Sequence, residues 1–153
     1  MQFPEIKTKT LSGQKLTIPA ELGPQITLLI LVFEDGGKYE EPQAQATKWL
    51  QLYDSKLKNK GIDCYELPMM SGKYRLMSFI IDSGMRSGIP PEKHNKVVSF
   101  YGDKKKYMGE LGIYDLRRAY VYLLDENGEI VFTANGEPKD SHLSEILSKL
   151  ERL

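Results

Sequence analysis

The run Ile26 to Phe33, ITLLILVF, is apolar apart from Thr27. A strand with apolar side chains on both faces has to be covered on both sides, the usual situation at the centre of a parallel or mixed sheet flanked by helices. The run is far short of the roughly 20 residues that cross a bilayer, and no other apolar stretch is longer, so the chain is expected not to span a membrane. An acidic loop, Glu34-Asp35-Gly36-Gly37, ends the strand abruptly. A helical pattern follows. Pro42 suits a first helical turn, where its missing N–H would be unpaired anyway. Ala46, Trp49, Leu50, Tyr53 and Leu57 recur at three- and four-residue steps as one stripe. Lys58 and Lys60 suit the negative end of the helix dipole, and Gly61 ends it. Ile62 to Leu67 is the next expected strand, stopped by Pro68. Strand, helix and strand make a β-α-β unit, almost always a right-handed crossover between parallel strands.

The flanking segments complete the pattern. TKTLSGQKLTIP alternates around Ser12-Gly13, which predicts a short N-terminal hairpin. A second helix is expected from about Lys73 to Met85, with Leu76, Phe79, Ile80 and Met85 on its apolar face. GMRSGIPPEKH breaks it. Val97 to Tyr101 reads as a short strand, and Lys104 to Leu111 as a short helix before Gly112. Tyr120 to Leu124 and Ile130 to Ala134 flank Asn127-Gly128, a hairpin signal whose favoured tight turn takes positive φ at both central residues. Asp140 or Ser141 is the expected cap of a last helix carrying Leu143, Ile146, Leu147 and Leu150 on one face. The expected fold class is therefore α/β, with a central mixed sheet, helices on both faces, a β-α-β unit and then β-β-α, in one domain over residues 1–153.

Composition narrows the function. The 21 basic and 21 acidic residues cancel, so no global field holds a nucleic-acid backbone, which argues against nucleic acid as a partner. Lys104 to Lys106 read as a solvated helix start. The single cysteine, Cys64, allows no internal disulfide and suits a reducing compartment. The first residues lack the basic-then-apolar layout of a signal peptide. The expected location is the cytoplasm.

The element order is that of thioredoxin, and LGIYDLRRAYVYLLDENGEIV resembles the corresponding stretch of thioredoxin-like and peroxiredoxin-like proteins. The resemblance runs from FPEIKTKTLSGQKLTIP through most of the chain. YELPMM, GMRSGIP and YVYLLDENGEI are most similar to the mitochondrial ATP synthase assembly factor family and its prokaryotic relatives. In redox members of the superfamily a Cys-x-x-Cys pair or a peroxidatic Cys stands where this chain has Glu34 to Gly37. A cis-proline stands where it has Ala119. A cis bond before a residue other than proline costs roughly 3 kcal/mol, so a trans Ala119 and a reshaped pocket floor are expected. The resemblance implies a domain that holds other polypeptides, such as a membrane-complex subunit, without a cofactor or a metal.

Cys64 is the one thiol available. Inside an apolar strand its pKa is expected to be raised and its reactivity low. The acidic loop with Glu34, Asp35, Glu40 and Glu41 reads as a rim for a basic peptide or a cation, or as a solvated loop favouring the helix N-terminus. Arg117 and Arg118 adjoin Ala119. One of them is expected to point into the old cleft, either to ion-pair with the acidic loop or to grip a partner carboxylate. Arg86 and His94 in GMRSGIPPEKH are candidate outward-facing binding residues, although a lone histidine is more often structural. Tyr39 belongs to a set of nine tyrosines that, with arginine, suits a protein-binding patch. The expected surface joins the 34–42 loop, the 85–94 loop and Arg117/Arg118. Two alternatives stay open: a one-cysteine peroxidase or thiol oxidoreductase using Cys64, and metal delivery through Cys64, Met69, Met70 and His94.

Overall fold

The computed structural model describes residues 1–33 and 38–153. Seven strands form one mixed sheet: β1 (Ile6–Thr10), β2 (Lys15–Ile18), β3 (Thr27–Phe33), β4 (Asp63–Ser71), β5 (Val98–Gly102), β6 (Tyr120–Leu124) and β7 (Ile130–Asn135). Their order across the sheet is β2-β1-β5-β4-β3-β6-β7. β3 pairs parallel with β4 and antiparallel with β6, while β4 pairs parallel with β5. All seven residues of β3 are buried, as a strand covered on both faces requires. The N-terminal hairpin extends the sheet, because β1 also pairs antiparallel with β5.

Among the described residues four α-helices accompany the sheet: α1 (Glu41–Leu52), α2 (Ser78–Gly88), α3 (Lys104–Leu111) and α4 (Asp140–Glu151). Two cores result. Leu28, Ile30, Val32, Val121 and Leu123 pack with Ala46 and Trp49 of α1 and Ile146 of α4. Leu29, Leu31, Tyr65, Leu67, Met69 and Tyr122 pack with Phe3, Ile6 and the half-buried Tyr107, Met108 and Leu111 of α3. Pro42 stands in the first turn of α1, and Gly61 closes the segment in the left-handed region at φ +78°.

Four details correct the sequence expectations. β4 runs through Pro68 to Ser71. The ladder to β5 lapses between the Glu66–Val97 bridge and the Met69–Phe100 pair, so the missing proline N–H falls in a gap. The second helix begins later, with a 3-10 turn over Gly72–Met77 ahead of α2. Leu76, Phe79 and Ile80 are exposed instead of core-facing. In the β6–β7 hairpin only Gly128 has positive φ, the Gly128 N–H bonds to the Asp125 carbonyl, and a register shift at Leu123/Leu124 absorbs the extra residue. This is a looser turn with a bulge rather than the tight two-residue form. Finally, neither Asp140 nor Ser141 caps α4: its N-cap is Lys139, whose N–H donates to Nδ1 of His142 at 3.1 Å.

Candidate functional site

Alternate residues of β4 point to opposite faces. Tyr65, Leu67 and Met69 lie in the sealed core beside α3. Cys64, Glu66, Pro68 and Met70 floor a groove of about 1060 Å³. Gln43, Thr47, Leu50 and Tyr53 form one wall. Ile81, Met85, Ile89 and Pro90 form the other.

The gap exists because the two walls are anchored away from each other. On α1, the Trp49 indole N–H donates to the Gly136 carbonyl at 2.8 Å, and the His142 ring stacks on the indole at 5.5 Å. Both contacts draw α1 toward β7 and α4. On α2, the buried Asp82 accepts from Ser99 at 3.1 Å and from Tyr101 at 2.7 Å, both on β5. Burial, then Asp82, pushes the Tyr101 phenol up. β4 lies between these anchor lines, and nothing among the described residues fills the space over it.

The floor is apolar with a few placed polar groups. Glu66 is 8% exposed and accepts from the Gln43 side chain at 3.3 Å. Cys64 is 5% exposed. Burial first, then the charges of Glu66, Asp63 and Asp54, push its thiol far up, against the lowering effect of Lys96. The sulfur is thus a protonated, weakly nucleophilic thiol at neutral pH. The lower end is closed by two ion pairs, Lys93–Asp54 at 3.3 Å and Lys96–Asp63 at 2.8 Å. Lys96 loses through burial but gains more from Asp63 and Tyr65 together, so its ammonium is held above the ordinary value. Tyr53 donates to the Ile62 carbonyl at 2.7 Å, and burial, then Cys64 and the nearby acids, raises it to about 12. These groups can receive apolar side chains and a few hydrogen bonds. They offer no activated nucleophile.

Fold and groove together can be set against known proteins. The chain belongs to the ATP10 protein family. The match covers residues 1–153, and the family is one of ATP synthase assembly. A search of curated proteins returns no match. Among solved structures, a putative thiol:disulfide interchange protein DsbE from Chlorobium tepidum superposes with TM-score 0.63 at 16% identity, covering 97% of this chain and 95% of that one. BsSco, a member of the Sco family of cytochrome c oxidase assembly proteins, gives 0.64 at 14% identity, with 99% and 92% covered. Copper-bound yeast Sco1 gives 0.61 at 16%, with 99% and 94% covered. At such identities the likeness establishes a thioredoxin-like fold.

This ATP10-family chain does not gather the predicted site residues into one surface. Glu34 and Asp35 lie outside the described residues. Tyr39, half-buried, and Arg117 sit near the C-terminal ends of β3 and β4. Arg86 and His94 sit at the other end: Arg86 donates to the Leu11 carbonyl at 3.2 Å, and His94 Nε2 lies 2.8 Å from the Ile89 carbonyl. Both close the backbone there. The 85–94 segment instead contributes Met85, Ile89 and Pro90 to the groove.

Arg117 and Arg118 precede β6 in a turn, so strand alternation does not separate them. Both reach Asp115, at 3.1 and 3.5 Å, and Arg118 also donates to the Asn135 side chain at 2.9 Å. Hydrogen bonds from the Arg117 backbone and side chain hold Asp115 below its usual range. Ala119 is buried and trans, since the cis peptide among the described residues is Ile18–Pro19. Its N–H donates to Gln45 Oε1 at 2.8 Å and its carbonyl accepts from Gly136 at 3.0 Å. The metal set does not converge, because Met69 is on the opposite face of β4 from Cys64 and Met70. Sequence reasoning missed Glu66, Asp82 and Gln45. The first two carried a signal: single acids inside the apolar stretches YELPMM and SFIID.

Proposed function

We propose that this chain is a single-domain assembly module that holds an apolar polypeptide segment of a membrane-complex subunit in the α1–α2 groove, without thiol-disulfide or peroxidase chemistry. The observation that carries the reading is the groove itself. It is at the upper limit of small-ligand pockets, roughly 1000 Å³, a size that suits a row of side chains. Its floor carries Pro68 and Met70, so apolar contact supplies affinity. Methionines at the floor and wall adapt to differently shaped apolar partners. Family membership supplies the class of partner, a subunit of the ATP synthase. One unpaired, protonated thiol is compatible with the cytoplasm.

Cys64 supplies the test, because it reports occupancy of the groove. Synthetic peptides covering the apolar segments of the ATP synthase membrane subunits would be titrated onto the protein while thiol labelling is followed. At least one peptide should slow labelling several-fold, and Ile89→Arg should abolish the protection. Protection by no peptide, or hydroperoxide consumption that is lost in Cys64→Ser, would overturn the reading.

A further inference from the structure

The segment from Gly72 to Ile80 is not used by the groove apart from Tyr74, yet it carries the largest exposed apolar surface among the described residues. Leu76 is 91% exposed, Phe79 68%, Ile80 55% and Met77 50%. The steps of three and four between Leu76, Phe79 and Ile80 bring these side chains to one side of the turn. The opposite side of α2, through Ile81 and Met85, faces the groove. A short helix apolar on two sides, one of them toward solvent, is a candidate contact surface.

The charges around this patch identify what it meets. From residue 71 to 81 the charged side chains are Lys73 and Arg75, both exposed, and no acid is present. The next acid, Asp82, is turned inward to Ser99 and Tyr101. Arg75 is steadied at the edge by donating to the Tyr101 carbonyl at 2.9 Å. Gly72 packs close to Gly102, with 3.6 Å between its Cβ position and the Gly102 Cα. That approach brings Lys73 beside Lys105, and Ser71, Lys73, Lys105 and Met108 line one shallow depression. The nearby acid, Asp103, has its carboxylate engaged by the Lys106 N–H at the start of α3. Cations in the same segment as exposed Leu, Phe and Ile, with no acid among them, are the chemistry of an interfacial helix on an anionic bilayer, with apolar groups below the headgroups and ammonium and guanidinium groups among the phosphates. No helix among the described residues is long and apolar enough to cross a membrane, so contact would be peripheral.

We propose that Leu76, Phe79 and Ile80, with Lys73 and Arg75 in the same segment and Lys105 beside Lys73, seat the domain on an anionic lipid surface. This does not rest on the groove reading, and each can fail without the other. The test is sedimentation of the full chain with vesicles of phosphatidylcholine plus phosphatidylglycerol, beside vesicles of phosphatidylcholine alone. Partition should favour the anionic vesicles by about tenfold or more, and weaken with added salt. The triple variant Leu76→Ser/Phe79→Ser/Ile80→Ser, at positions already in water, should lose about tenfold, as should Lys73→Glu/Lys105→Glu. In Phe79→Trp the new indole emission should shift to the blue and be quenched by brominated acyl chains, a reading that does not depend on the other variants folding. Equal partition to both vesicles, no partition to either, or an unshifted indole overturns the proposal. So does a dimer in sedimentation velocity that the serine variant dissolves, since the patch would then belong to a second copy.

Discussion

The two faces of β4 are built from neighbouring residues and end in opposite conditions. Tyr65, Leu67 and Met69 are sealed beneath the N-terminal segment and α3. Cys64, Glu66, Pro68 and Met70 floor an open groove. Both sets are buried, and both belong to a stretch, Cys64 to Met70, whose one charged residue is Glu66. What differs is where the covering helices are fastened. α3 sits directly over its face, whereas α1 is drawn toward β7 and α4 and α2 toward β5. A face can therefore be apolar and still border a groove when its cover is anchored to the strands on either side.

The largest expected difference between the faces is in packing. Leu67→Ala should destabilise by about 4 kcal/mol, because the sealed core keeps the cavity, whereas Met70→Ala should cost about 2 kcal/mol, because the buried Met70 borders the groove and water can enter the space it leaves. Urea denaturation of the two variants decides this, and equal losses would mean the groove closes in solution. Next comes the anchor. Trp49→Phe removes the donor to the Gly136 carbonyl and should cost about 2 kcal/mol, and by releasing α1 it should also change the rate of Cys64 labelling. If stability falls while labelling stays as it was, α1 is not held by that bond.

A pH profile sharpens the electrostatic side of the comparison. The buried Cys64 thiol is raised above its ordinary value of 9.0, so above that pH the unfolded chain has lost a proton that the folded chain keeps. Stability should then fall as pH rises, by about 1 kcal/mol between pH 9 and 10, before the tyrosines contribute. Cys64→Ser should flatten that interval, and an unchanged slope would place the titrating group elsewhere. The smallest effect is at the groove's lower end. Lys93→Ala breaks an exposed ion pair and should change stability by less than about 0.5 kcal/mol, yet it should speed Cys64 labelling by opening the closure to Asp54.

Much of the architecture was legible from particular residues. Ile26 to Phe33 announced a doubly covered strand. Pro42 and Gly61 bracketed the first helical segment, and Asp125 to Gly128 announced a hairpin even though its turn type differed. These are local signals, set by backbone freedom and by the spacing of apolar residues. Pro68 misled because its effect depended on a neighbour: a proline breaks a strand only where a donor is required, and the ladder to β5 lapses beside it. Leu76, Phe79 and Ile80 misled because periodicity shows that residues share a side without showing whether anything lies over it. The candidate site was the least legible part. Arg86 and His94 looked available, but the carbonyls that hold them, on Leu11 and Ile89, become partners only through the folded path of the chain.

By itself, then, the sequence determined the order and type of most elements, the burial of β3 on both faces, the single thiol and the balance of charge. Those follow from residue types acting within a few positions of one another. Only the tertiary structure decided that one face of β4 borders a groove, that the Cys64 thiol is pushed up by burial beside Glu66 and Asp63, and that an apolar turn is left facing water. Each of those depends on where two distant segments are fastened, as Trp49 is to Gly136 and Asp82 to Tyr101, and such distances are set when the whole chain packs.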